Sequence, residues 1–95
     1  MDYKNGKIYV IRNHINDKVY VGSTTTTLTK RFSYHRCPSK IKHKPNVALY
    51  IALNEIGRDY FYIELIETYP CKNRQELEAR EGYWIRHFDS FMNGY

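Results

Sequence analysis

Two short segments rich in Val, Ile and Tyr, separated by only four residues, restrict the fold of this chain more than any other feature. The segments are residues 7–13 and 18–23, and residues 14–17 connect them. β-Branched and aromatic residues favour strands, and a connection this short joins antiparallel neighbours. The sequence therefore predicts a β-hairpin near the N terminus, and the remaining elements must pack around it.

Three helices and one more strand are predicted after the hairpin. Helices are expected over residues 28–37, 47–56 and 73–88, and a strand over residues 60–69. That strand alternates too little for a half-exposed one and is therefore expected to be well buried. The order ββααβα predicts an α/β (α+β) domain in which helices flank a small, three-stranded, mostly antiparallel sheet. We expect one domain over residues 1–95, because a chain of this length supports a single core.

Composition argues against several classes of protein. Hydrophobic residues make up 42% of the chain, which is too many for a disordered one. No apolar run reaches about 18 residues and the N terminus lacks a signal-peptide core, so neither a membrane span nor secretion is expected. Two cysteines, Cys37 and Cys71, are too few for a disulfide scaffold. We therefore expect an intracellular protein, in the cytoplasm or the nucleoid.

The positive charge lies in the first half of the chain. Residues 1–44 hold ten Lys and Arg against two Asp, a net charge of +8, whereas residues 45–95 hold five basic and eight acidic residues, a net charge of −3. This asymmetry indicates a polyanionic partner, with nucleic acid as the first candidate, and the alternative is a solvated basic face. The candidate nucleic-acid-binding residues are Lys30, Arg36, Lys40, Lys42 and Lys44.

A glutamate lies on the apolar face of the last predicted helix. Glu81 comes four residues after Leu77 and three before Trp84, so it shares a face with both. An ionised carboxylate among apolar side chains is costly unless a cation faces it. Glu81 is therefore either a metal ligand or general base, or the partner of a nearby arginine such as Arg80 or Arg58.

The first predicted helix carries a pair of residues suited to phosphate. Arg31 and His35 are four apart and therefore share one face. Arg can donate to two phosphate oxygens at once, and His can donate or accept a proton. The alternative is an ordinary surface helix.

The hairpin carries two tyrosines that can meet. We expect the register to place Tyr9 opposite Gly22, which puts the phenols of Tyr9 and Tyr20 on the same face of the sheet. Gly22 would then leave room for a ligand or another backbone to come close. The alternative is that both tyrosines serve packing alone.

The order of these residues along the chain resembles the GIY-YIG nuclease family. The resemblance is carried by Lys7-Ile8-Tyr9, Val19-Tyr20-Val21-Gly22-Ser23-Thr24, Arg31, His35 and Arg80-Glu81-Gly82-Tyr83-Trp84-Ile85. It covers nearly the whole chain and is strongest to the nuclease domains of phage- and virus-type homing endonucleases, which would place the protein in a host cell. Lys7 stands for the Gly of the first motif, Val21 stands for an Ile, and the Asn that closes the family pattern would follow Tyr95.

The resemblance implies a metal-dependent endonuclease that hydrolyses DNA phosphodiester bonds. Glu81 would hold one divalent cation, Mg²⁺ or Mn²⁺, and Arg31 would stabilise the charge on the scissile phosphate. Tyr9 or Tyr20 would activate or position the attacking water, with His35 near the nucleophile. A tyrosine with an ordinary pKa of about 10 is a poor base at neutral pH. Either its pKa is lowered by its surroundings, or it orients the water while His35 takes the proton.

Two other functions are compatible with this sequence. The same scaffold could be a non-catalytic nucleic-acid-binding module, in which basic residues bind the backbone and tyrosines stack on bases. A zinc site from His35, Cys37, His43 and Cys71 is less favoured, because these residues lack the closely spaced pairs of zinc ligands. The chain shows no zinc finger, helix-turn-helix or basic zipper. We therefore expect low sequence specificity, unless dimerisation on DNA or a longer parent protein adds to it.

Overall fold

The computed structural model describes residues 2–36 and 47–88, and its elements follow the predicted order ββααβα. The elements are the strands β1 (Lys7–Asn13), β2 (Tyr20–Thr24) and β3 (Phe61–Thr68) and the helices α1 (Leu28–Arg36), α2 (Val47–Ile56) and α3 (Arg74–Phe88). Short 3-10 turns precede β1 and β3. In these ranges no helix combines the length and the apolar character that crossing a membrane requires.

The three strands form an antiparallel sheet with β1 at its centre. Their order is β2-β1-β3, and both pairings are antiparallel. Tyr9 pairs with Gly22 and Ile11 with Tyr20, so the predicted hairpin register is confirmed. The predicted fold class is confirmed as well. Because β1 lies between the other two strands, β2 and β3 are the edge strands of the sheet.

Helices cover both faces of the sheet and form two separate cores. On one face, Tyr9 and Ile11 pack with Leu49 and Leu53 of α2, and partly buried side chains of α1 join them. On the other face, residues of β1 and β2 pack with Leu77 and with the half-buried apolar residues of α3. The fold therefore has three layers, with α1 and α2 on one side of the sheet and α3 on the other.

The expectation of a well-buried third strand is wrong. Of the eight residues of β3, only Phe61 is buried, and Leu65 is 48% exposed. The buried strand is β1, in which five of seven residues are buried. The helices that pack over the central strand cover the side chains of β3 only in part, whereas three of the five residues of the other edge strand, β2, are buried.

Side-chain caps fix where the two site-bearing helices begin. The Thr27 hydroxyl accepts a hydrogen bond from the Lys30 backbone N–H at the start of α1. At α3, the Asn73 side chain accepts one from the Glu76 N–H, and the Glu76 carboxylate accepts one from the Lys72 N–H. These two bonds form a capping box in which the reciprocal bond goes to the N–H one residue before Asn73. Because these bonds define the first residue of α3, they also determine which of its side chains face the sheet.

Candidate active site

A cleft of about 690 Å³ opens at the β2 edge of the sheet. It is lined by Arg31 from the α1 layer, by Glu78 and Glu81 from the α3 layer, and by Tyr20 and Ser23 of β2. An edge strand is where two helical layers on opposite faces can approach one another. The structure therefore brings Tyr20, Arg31 and Glu81, three of the candidate site residues, to one cleft.

Tyr9 and His35 lie behind the cleft wall. Tyr9 is 0% exposed and His35 is 2% exposed. The Tyr9 hydroxyl lies 2.8 Å from His35 Nε2 and accepts a hydrogen bond from Arg31 Nε over 3.2 Å. The His35 ring packs edge-on against the Tyr20 ring, with centroids 5.4 Å apart. The predicted catalytic residues of the hairpin and of α1 therefore form one contiguous cluster.

Gly22 makes room for Tyr9. A Cβ at this position would overlap the phenol of Tyr9 and lie 2.5 Å from its Cζ. The expected space for a ligand or another backbone beside Gly22 is therefore filled by the protein's own side chain. Any larger residue here would displace the phenol from Arg31 and His35.

His35 is uncharged at neutral pH. Burial, together with the nearby Arg31 charge, lowers the pKa of His35 from 6.5 to about 4. A neutral imidazole can accept the phenol hydrogen of Tyr9 at Nε2, while Arg31 donates to the phenol oxygen. The network therefore holds the Arg31 guanidinium through Nε, in a fixed orientation beside the cleft.

This lowered pKa predicts a pH dependence of stability. Between pH 6.5 and 4 the unfolded chain binds a proton at His35 that the folded chain does not, so the free energy of unfolding should fall as the pH drops through this range. The full effect is about 3 kcal/mol. Urea denaturation at several pH values should show this loss in the wild type and a smaller one in His35→Gln. Equal losses in both proteins would contradict the assignment.

Glu81 is a half-buried carboxylate on the cleft wall. The Ser23 hydroxyl donates to Glu81 Oε1 over 2.5 Å. Burial raises the pKa of Glu81 above its ordinary value and Glu78 adds to this, whereas the Ser23 hydrogen bonds and the Arg31 charge oppose it. A carboxylate in such a place is stabilised by a cation in the cleft.

The sequence-based alternative of a salt bridge to Arg80 is wrong. Arg80 forms a bidentate ion pair with Glu67 of β3. Trp84 Nε1 donates to the same carboxylate over 2.9 Å. Glu81 takes its hydrogen bond from Ser23 instead. Successive residues of α3 therefore serve different partners, with Arg80 joining the helix to β3 and Glu81 lining the cleft.

The residues of the cleft suit a hydrated divalent cation. Residues 2–36 and 47–88 contain no group of three or more His, Cys, Asp or Glu that could enclose a metal. The cleft itself offers the carboxylates of Glu81 and Glu78. Mg²⁺ is commonly held by one or two carboxylates and keeps several waters, so this donor set fits it. Zinc prefers four closely placed nitrogen or sulfur ligands.

The other candidate residues are only partly described by the structure. Lys30 is exposed on α1, and Arg36 ends that helix. Lys40, Lys42 and Lys44 lie outside the described residues. The candidate nucleic-acid interface therefore stays a prediction from sequence for most of its members.

Ser23 is the site residue that the sequence reasoning missed. Nothing in the sequence pattern around the second motif assigns a partner to its hydroxyl. Its place directly after Gly22, two residues beyond the buried Val21, could have indicated that it faces the helix carrying Glu81. Thr24, the last residue of β2, and the next two threonines, Thr25 and Thr26, also line the cleft.

Solved structures define the class of protein. The fold matches the catalytic domain of homing endonuclease I-TevI with a TM-score of 0.77 and 29% sequence identity, covering 95% of each chain. A mutant form of the same domain matches with a TM-score of 0.78, covering 95% of this chain and 90% of that one. The fold is therefore that of an endonuclease catalytic domain.

The family follows from sequence comparison. The GIY-YIG catalytic domain model matches residues 5–95, so this chain belongs to the GIY-YIG catalytic domain family. Intron-associated endonuclease 1 of Enterobacteria phage T4 is 33% identical over 88 residues, which are 93% of this chain and 35% of that protein. Uncharacterized protein 019R of Invertebrate iridescent virus 6 is 33% identical over 93 residues, which are 96% of this chain and 33% of that protein. The chain thus spans about a third of the length of these relatives.

Proposed function

We propose that this chain is a DNA endonuclease domain that hydrolyses phosphodiester bonds with one divalent cation, inside the host cell of a phage or virus. One observation carries the proposal: Arg31 and Glu81 line a single cleft from opposite faces of the sheet. A phosphodiester is anionic, so its hydrolysis needs positive charge at the phosphate and a positioned water. The named endonuclease relative of phage T4 supports DNA as the substrate.

Arg31 would bind the scissile phosphate. Its Nε is committed to the Tyr9 hydroxyl, which fixes the plane of the guanidinium beside the cleft. The terminal nitrogens of a guanidinium so fixed suit paired phosphate oxygens. Arg31 thereby stabilises the charge that develops on the phosphate during attack.

Tyr20 would position the attacking water. His35, on the buried side of the Tyr20 ring, would hold that ring in place. Of the two motif tyrosines, only Tyr20 lines the cleft, because Tyr9 is fully buried. The edge-on contact with His35 holds the Tyr20 ring, and the hydrogen bond between His35 and Tyr9 holds the imidazole. The roles of the two tyrosines therefore differ: Tyr20 meets the water, and Tyr9 orients Arg31.

Glu81 would hold the cation, Mg²⁺ or Mn²⁺, together with water molecules. When bound, such an ion polarises a phosphoryl oxygen and stabilises the leaving oxygen. The half-buried Glu81 carboxylate, supported by Ser23, is the group that would fix its place.

A plasmid-nicking assay tests this function. Supercoiled plasmid should be converted to nicked or linear DNA in Mg²⁺ or Mn²⁺ and stay intact in EDTA. A folded protein that binds the plasmid and leaves it intact with either metal would support the alternative, a non-catalytic nucleic-acid-binding module.

The two tyrosines should respond differently to loss of the hydroxyl. Tyr20→Phe should slow cleavage by about 10- to 100-fold and leave the melting temperature nearly unchanged, because the residue meets the water at the cleft. Tyr9→Phe should also lower the free energy of unfolding by about 1–2 kcal/mol, because a buried hydrogen bond is lost. Single-turnover rates and thermal melts measure both effects. A normal rate in Tyr20→Phe would contradict its assignment.

DNA binding should depend steeply on salt. Neutralisation of about five phosphates gives a slope of roughly −4 to −5 in log K against log salt. Replacing Lys40, Lys42 and Lys44 with Ala should make the slope shallower by about two to three units and leave single-turnover cleavage at saturating DNA nearly unchanged. Fluorescence anisotropy at several salt concentrations measures the slope. An affinity that barely changes with salt would overturn the electrostatic account of the basic half.

A further inference from the structure

Ser23 contacts the Glu81 carboxylate directly. Its hydroxyl donates to Glu81 Oε1 over 2.5 Å. The two residues are 58 positions apart in the sequence. The contact therefore exists only because α3 docks against β2.

The register of β2 explains how Ser23 reaches Glu81. Val21, two residues earlier, is buried in the core that includes Leu77 of α3. Side chains two apart in a strand point to the same face, so Ser23 faces α3 as well. It does so at the margin of that core, where the cleft begins. Its hydroxyl is thus held by a strand and meets a carboxylate held by a helix.

We propose that Ser23 is a positioning residue of the metal site, which holds one oxygen of Glu81 so that the carboxylate is presented to the divalent cation. The inference rests on the proposed function, in which Glu81 is the metal ligand. In this proposal β2 contributes to metal binding through Ser23. Tyr20, the motif tyrosine of the same strand, has no part in it.

The physical basis is the freedom of a carboxylate. The terminal torsion of a glutamate is broad and has no sharp preferred angle. A donor on Oε1 restricts that torsion and thereby fixes the second oxygen. Hydrogen-bond partners of metal ligands act in this way generally, and their removal weakens metal affinity by about 10- to 100-fold.

Metal binding without DNA tests the role of Ser23. Calorimetric titration with Mn²⁺ should show about tenfold weaker affinity for Ser23→Ala than for the wild type. Ser23→Thr keeps the hydroxyl and should bind within about threefold of the wild type, and Ser23→Cys, a weaker donor, should lie between. Ser33→Ala is the matched control, because Ser33 is exposed on α1. It should bind like the wild type.

Cleavage provides a second, independent measurement. The Mg²⁺ concentration for half-maximal cleavage should rise by the same factor of about ten in Ser23→Ala, and the rate at saturating Mg²⁺ should recover to within about threefold of the wild type. A merely structural role would lower the melting temperature and the amount of active protein without moving this half-saturation point.

The outcomes separate the two proposals. A wild-type protein that neither binds Mn²⁺ nor cleaves DNA overturns the proposed function. A wild-type protein that binds Mn²⁺, with equal affinity in Ser23→Ala, overturns only the role of Ser23. Equal weakening by Ala and Thr also overturns it, since the hydroxyl would then not be the determining group. If Ser23→Ala does not fold, the comparison of Ser23→Cys with Ser23→Thr decides the question.

Discussion

Replacing Glu81 with glutamine is expected to reduce metal-dependent cleavage by more than about a thousandfold. The change removes the charge that is proposed to hold the cation, and a bound cation contributes several kcal/mol to stabilising the transition state. The amide oxygen can still accept from Ser23, so the contact between α3 and β2 is kept. Plasmid nicking under single-turnover conditions in Mg²⁺ measures the effect.

The fold of this variant should be unaffected. Burial raises the pKa of Glu81, which means that the protein disfavours its charge, so the melting temperature should stay equal or rise. Glu64→Gln is a matched control, because that carboxylate is exposed on β3, away from the cleft. It should cleave like the wild type. A Glu81→Gln protein that cleaves at the wild-type rate would show that Glu81 is not the metal ligand.

Replacing Arg31 with alanine is expected to lower turnover by about 100- to 1000-fold and DNA affinity by no more than about threefold. One basic group among many adds little to binding, whereas a guanidinium aimed at the scissile phosphate stabilises the transition state. Arg31→Lys keeps the charge and loses the Nε contact with Tyr9, so it should recover only part of the rate. Single-turnover rates and anisotropy titrations measure the two quantities.

Lys30 provides the control for Arg31. It is the preceding residue on α1 and is exposed, so Lys30→Ala removes the same charge without altering the network around Tyr9. It should weaken DNA binding slightly and leave the rate at saturating DNA nearly unchanged. If Arg31→Ala lost affinity and rate in equal measure, Arg31 would be one more contact to the DNA backbone.

The elements and most of the site were predictable because they depend on local patterns. The hairpin itself followed from its residue types, and the register assumed for it, which puts Tyr9 and Tyr20 on one face, is the observed one. Helical spacing placed Arg31 and His35 together, and the position of Glu81 on an apolar face identified it as unusual. Each of these inferences needs only the period of a strand or a helix.

The errors concern contacts between elements distant in sequence. The exposure of β3 depends on how far the helices extend over it, and no pattern within the strand reveals this. The partner of Glu81 was sought among nearby arginines, but the hydrogen bond comes from Ser23 in another layer. The burial of Tyr9 likewise follows from the space at Gly22 and from helix α1 packing above it.

Because the cleft lies between the two helical layers, it is complete only after both layers have folded onto the sheet. Glu81 follows Arg31 by 50 residues in the chain, and contacts across so many residues form only when α3 docks against the sheet. A nascent, truncated or locally unfolded copy holds phosphate-binding residues without the carboxylate opposite them. Under the proposed function, only a chain whose α3 has docked on the sheet has a complete site, so completion of the fold is the activating step of this domain.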